Sequence, residues 1–107
     1  MSKPLKVQIV EKARASIKDE KHWCRCELAR DADGLSVDAT SSSAIRRCAL
    51  GALVSAAYQL TNDQWQAYDL AINALQPMHT SATIIYVNDV RGHSVVLALL
   101  DDVMAIM

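Results

Sequence analysis

Ile45, Cys48, Ala49, Ala52, Leu53, Ala56 and Leu60 form an apolar stripe at steps of three and four, unbroken through one segment of the chain. That period places them on one face of a helix. The run Thr40-Ser41-Ser42-Ser43 just ahead offers hydroxyls that cap helix N-termini. In the middle, Cys48-Ala49-Leu50-Gly51-Ala52 is built mostly from small side chains, which admit a close neighbour even though Gly costs up to about 1 kcal/mol relative to Ala in a helix interior. The stripe predicts a central helix, with Gly51 at the closest helix crossing.

Other segments read as partners for it. Leu5, Ile9, Val10, Ala13 and Ile17 share one helical face, with Lys6, Lys12, Arg14 and Lys18 mostly elsewhere. Thr61 or Asn62 is placed to cap a third helix with the stripe Trp65, Tyr68, Ile72 and Leu75, which should stop before Pro77. Ser94 is placed to cap a last helix burying Val96, Leu99, Leu100, Val103 and Met107. Residues 82–87, Ala-Thr-Ile-Ile-Tyr-Val, are β-branched, but no second strand is evident to pair with them, so a short buried helix or extended segment is expected. Asp19 to Thr40 is polar and mixed, with Asp31-Ala32-Asp33-Gly34 as a turn and Trp23, Leu28 and Leu35 as its packing anchors. The expectation is a mainly α single domain over residues 1–107. It is a compact bundle of about four helices with a long irregular connection between helices one and two. With no Phe in the chain, Trp23, Trp65 and some of Tyr58, Tyr68 and Tyr86 are expected as the large core residues.

Composition narrows the class. Half the residues are hydrophobic, 51%, and 21% are charged, which is the balance of a packed domain. No stretch reaches the roughly 20 apolar residues of a membrane span, and the N-terminal residues do not read as an export signal, so a cytoplasmic protein is expected. Cys24, Cys26 and Cys48 are then expected as reduced thiols. Ten of the 11 Lys and Arg lie in residues 1–47 with seven acids, for +3, which leaves -4 in residues 48–107. Because Glu11, Asp19, Glu20 and Glu27 interleave with the lysines and the net charge is -1, nucleic acid is not an expected partner.

Three groups of residues carry possible chemistry. Cys48 is a possible nucleophile with His93 as base and Asn88 or Asp89 orienting the imidazole; the competing reading has Cys48 a turn inside the helix as a small core residue. His22, Cys24 and Cys26 are metal-type ligands, and Cys48 would complete a zinc set. Yet Cys-x-Cys departs from the usual ligand spacing and no second pair exists, so no metal and no cofactor are expected. Asn88-Asp89-Val90-Arg91-Gly92 reads as a turn, and Asn88, Asp89 and Arg47 are the candidate binding residues. Arg46 and Arg47 would oppose the dipole at the start of the central helix, so at least one should pair within the molecule, with Asp31, Asp33 or Asp89 as partner.

Trp23, Asp31-Ala32-Asp33-Gly34, Arg47-Cys48-Ala49-Leu50-Gly51-Ala52 and Asn88-Asp89, taken in order, resemble an uncharacterised family of small bacterial and phage proteins, a domain of unknown function. The resemblance covers nearly the whole chain and implies a small, mostly helical fold with no catalytic role to carry over. It also implies Thr at the place of Ser94, and His93 departs from the family's pattern. The functional expectation is a protein-interaction or accessory module, binding another protein or a second copy of itself as a homodimer. A Cys-dependent hydrolase or transferase is the alternative, and a zinc-binding module a further one.

Overall fold

The first stripe becomes helix α1, Leu5–Ile17, which buries Ile9, Val10, Ala13 and Ile17 and leaves Leu5 at its solvent end. The computed structural model describes residues 3–76 and 78–106, so Pro77 and Met107 lie outside the described residues. Around α1 are α2 (Ala49–Thr61), α3 (Gln64–Leu75), α4 (Ser81–Tyr86) and α5 (His93–Ile106). That makes five α-helices among the described residues rather than four, because the β-branched 82–87 segment contributes a helix of its own. Its Thr80 cap accepts from the Thr83 N–H, and it buries Ile84 while Thr83, Ile85 and Tyr86 face out, so it is not the buried segment expected.

α2 is the centre of the packing: every residue from Ala49 to Ala57 is buried, and the helix lies against α1, α3 and α4. A helix apolar on all sides finds cover on all sides. Its C-terminus closes on Asn62 in the left-handed region at φ 56°, with the Asn62 N–H bonded to the Tyr58 carbonyl. α3 therefore starts one residue later than expected, on Asp63, whose carboxylate accepts from the Trp65 and Gln66 amides. α5 packs on α1 and carries the expected stripe of Val96, Leu99, Leu100 and Val103, but it begins at His93, which puts Ser94 inside the first turn rather than at the cap. Arg14 on α1 pairs with Asp101 on α5 at 2.6 Å and so ties the basic half of the chain to the acidic half.

The aromatic stripe of α3 faces the wrong way for a core. Its buried residues are Ala67, Ala71, Ala74 and Leu75, whereas Trp65 is 94% exposed and Tyr68 43%. Alanines at that spacing let α3 lie close on the small residues of α2, and this leaves no room for an indole between the helices. Trp23 is the large aromatic that is buried, and Tyr86 is exposed.

The segment between α1 and α2 holds structure of its own. A 3-10 turn, Glu20–His22, leads to strand β1, Ala29–Arg30, which pairs antiparallel with β2, Arg46–Arg47. Bridges from Trp23 to Arg47 and from Arg30 to Ser36 widen this into a small ribbon. Trp23 anchors it, while Leu28 and Leu35, expected as further anchors, are exposed. The ribbon also sets where α2 begins. Ile45 donates to the Arg30 carbonyl and Cys48 to the Leu28 carbonyl, so residues 45–48 are extended and the helix starts at Ala49. Thr40 to Ser43 lie in turns and do not cap it, and Ile45 is exposed.

Candidate functional site

The N-terminus of α2 is capped by Cys48, whose Sγ accepts from the Gly51 amide at 3.3 Å. This corrects the expectation that Cys48 lies a turn inside the helix; it stands at the cap, where Ser, Thr, Asp or Asn is usual. A helix N-terminus favours a thiolate. Here, however, burial pushes the Cys48 thiol up to about 11, against a smaller lowering from the Gly51 N–H. The buried thiol of Cys24 is likewise raised, chiefly by burial.

A π-helical turn, Val87–Arg91, follows α4 and ends on Gly92 at φ 99°, closed by the Gly92 N–H to the Val87 carbonyl. The wider turn directs Asn88 inward until it is 1% exposed. Its Oδ1 accepts from the Trp23 indole N–H at 2.6 Å and from the Ala49 amide at 2.9 Å. Its Nδ2 donates to the Cys24 carbonyl at 3.1 Å and to Asp89 Oδ1 at 2.9 Å. The side-chain amide thus uses both lone pairs and both hydrogens. Asp89 Oδ1 accepts in addition from the Cys26 amide at 2.9 Å, which helps hold Cys26 at φ 68°, in the left-handed region that few non-glycine residues enter. Turn chemistry alone would leave Asn88 in solvent; instead one side chain joins three stretches of chain.

Gly51 completes the junction. A Cβ there would overlap the carbonyl oxygen of Leu28 and lie 2.8 Å from its carbon. The close approach that requires glycine is therefore between α2 and the backbone of the ribbon segment, not the helix crossing expected. Trp23, Cys48, Ala49, Gly51, Asn88 and Asp89, dispersed in sequence, meet at this one place.

His93 lies alongside but is turned elsewhere. Its Nε2 donates to the Ile17 carbonyl at 2.6 Å, and its ring tilts against Trp23 with centroids 5.4 Å apart. Among the described residues no hydrogen bond joins His93 to Cys48, Asn88 or Asp89. His22, Cys24 and Cys26 also diverge: His22 Nδ1 is 3.3 Å from the Ile45 carbonyl, Cys24 is buried with its thiol donating to the Glu27 carbonyl, and Cys26 is exposed. Among the described residues no three His, Cys, Asp or Glu are grouped to hold a metal ion. Arg47 is paired inside the molecule, but through Nε to the Ala39 carbonyl at 2.9 Å and not to Asp31, Asp33 or Asp89. An extended β2, rather than a helix start, turns that guanidinium inward.

An open cleft of about 220 Å³ adjoins the junction, lined by Cys26, Glu27, Leu28, Cys48, Ile85, Asn88 and Asp89. With Asn88 saturated and Asp89 Oδ1 already accepting two bonds, most of its wall is apolar. No helix is long and apolar enough among the described residues to cross a membrane.

No curated protein and no solved structure matches the chain. The model of a family of unknown function, DUF6197, matches residues 1–106, and the chain belongs to that family.

Proposed function

We propose that the protein is a cytoplasmic protein-interaction module that works through its surface, with the junction at α2 serving to hold that surface in shape. The observation that carries this reading is Trp65, an indole 94% exposed on the first turn of α3 beside a half-exposed Tyr68. Leaving that much apolar area in water forgoes burial worth on the order of 2–3 kcal/mol. Trp and Tyr are also the residues most enriched where interface energy concentrates. Next to them a shallow hollow of about 210 Å³ is lined by Leu28, Ala39, Val54 and Tyr68 together with the polar Asp38, Thr40 and Gln64.

The test is site-specific cross-linking in cells from a benzophenone side chain at position 65. One discrete adduct, lost when Tyr68 is changed to Glu, is the expected result. An adduct of twice the chain's mass identifies a second copy as partner. No adduct, or a diffuse ladder unaffected by Tyr68→Glu, counts against the reading.

A second reading takes Cys48 as a nucleophile, favoured by its place at the N-terminus of α2 and by the cleft beside it. Against it stand the raised thiol and the His93 Nε2 committed to the Ile17 carbonyl. The two readings part on the reactivity of Cys48 in the folded protein.

A further inference from the structure

We propose that the outer face of the β-ribbon binds an acidic, partly apolar peptide segment of a protein partner through Arg46 and Arg30. The inference rests on the interaction reading above but concerns a different surface from the Trp65 face.

Arg30 and Arg46 are direct partners in the antiparallel β1–β2 register, so their side chains rise from the same face. Ala29 and Arg47, the alternate pair, point to the other side, where Ala29 is buried and Arg47 half-buried. Ser36 extends the outer row beyond Arg30, and the exposed His22 flanks it beside Ile45. Like charges directly opposite each other on a sheet are destabilising, and among the described residues no carboxylate is ion-paired to either arginine. The ion pairs among the described residues join Lys3 to Glu11, Arg14 to Asp101 and Lys21 to Asp19, and none reaches this face.

The neighbouring carboxylates are engaged in other hydrogen bonds, and among the described residues neither is ion-paired to Arg30 or Arg46. Glu27 accepts from the Ser36 hydroxyl at 2.8 Å, and Asp31 accepts the Asp33 and Leu35 amides of its own turn. Arg30 is held in place by the Gly34 and Arg25 carbonyls, so it is presented at low entropic cost. Arg46 is exposed, with no hydrogen bond or ion pair from its side chain among the described residues. The unengaged guanidinium fork of Arg46 suits an oxyanion bound in bidentate fashion, with the remaining N–H groups of Arg30 in the facing register.

A carboxylate-rich peptide fits better than a phosphodiester chain. Exposed Leu35 (64%) and Ile45 (46%), the chain neighbours of Ser36 and Arg46, offer apolar contact at the edge of this row. The chain as a whole is also slightly acidic, with -4 over residues 48–107, a balance unlike that of nucleic-acid-binding domains.

The experiment is fluorescence anisotropy at low salt on the full chain, with three probes: a short labelled peptide alternating Glu and Leu, the same peptide with Gln for Glu, and single-stranded oligothymidylate. The Glu peptide should bind, weaken with added salt, and lose about tenfold in affinity with Arg46→Gln and more with Arg46→Glu. Lys6→Glu, on the exposed side of α1, should change affinity less than twofold. Circular dichroism melts confirm that the variants fold, as expected for a side chain without internal bonds. The proposal is overturned if the Glu peptide does not bind, if the Gln peptide binds as well, if Lys6→Glu is as harmful as Arg46→Glu, or if oligothymidylate binds more tightly. Failure here with a discrete Trp65 adduct rejects this surface alone; failure of both rejects the interaction reading.

Discussion

The junction at the start of α2 and the outer face of α3 treat their distinctive residues in opposite ways. At the junction, polar groups that invite a chemical reading are buried and bonded to one another, with Asn88 at 1% exposure. On α3, an indole that invites a packing reading stands in solvent at 94%. The contrast teaches that Trp, Cys, Asn and Asp scattered through a sequence can be the means of fastening an irregular segment to a helix. Residues that a hydropathy stripe would bury can in turn stand in solvent.

The sharpest way to break this contrast is Asn88→Asp. The change swaps the Nδ2 donor for an oxygen facing the Cys24 carbonyl and Asp89, and buries a charge with no counterion. It should lower stability by about 3–5 kcal/mol in denaturant melts. A loss under about 1 kcal/mol would mean that the junction is wet and the amide replaceable.

Gly51→Ala comes next. The new methyl meets backbone rather than a mobile side chain, so the gain in helix propensity is overwhelmed and a loss of about 3 kcal/mol is expected. A variant as stable as the parent would remove the close contact between α2 and Leu28.

Cys48 sharpens the comparison through pH. A thiol that ionises near 9.0 when unfolded and near 11 when folded keeps the protein's full stability below pH 9, and stability then falls as pH rises through that window. The part due to Cys48 amounts to roughly 2–3 kcal/mol. Cys48→Ser keeps an oxygen to cap the Gly51 amide and should flatten this part of the pH profile, read as denaturant midpoints between pH 8 and 11. Parallel profiles for parent and variant would place the thiol in water.

The smallest effect belongs to α3. Trp65→Ser should change stability by no more than about 0.5 kcal/mol and remove emission from an exposed indole while leaving that of buried Trp23. A loss above 1 kcal/mol would show that Trp65 packs and would erase the contrast.

Much of this was legible from residue order. Ile9, Val10, Ala13 and Ile17 on α1, and Val96, Leu99, Leu100 and Val103 on α5, are buried as their spacing implies. α3 buries Leu75 as its spacing implies but misleads at Trp65 and Tyr68, because the rest of its core face consists of alanines, which carry less apolar area than Trp or Tyr; only close approach to α2 makes them the better contact. The start of α2 was hidden because four hydroxyl residues advertise a cap at Thr40–Ser43, while the actual cap is a thiol. What decides it is pairing between Ile45–Cys48 and Leu28–Arg30, a contact with no local signal. At the site, residue chemistry singled out Cys48, His93 and Asn88 as a possible group, but His93 is bonded to Ile17, and Trp23, Cys48, Gly51, Asn88 and Asp89 meet instead. Their joining by one buried amide depends on a π turn that a β-branched, turn-like stretch does not announce.

The central claim, that the junction is a closed fastening rather than a reactive centre, is tested most directly by alkylation of the folded protein at pH 7, with each cysteine followed by mass spectrometry. The account predicts that exposed Cys26 reacts at the rate of an ordinary thiol. Cys48 and Cys24 should react only as fast as the protein unfolds, and should slow further with conditions that stabilise the fold. Alkylation of Cys48 in the native state at or above the rate of Cys26 would contradict it, and would move the Cys48 nucleophile from second reading to first.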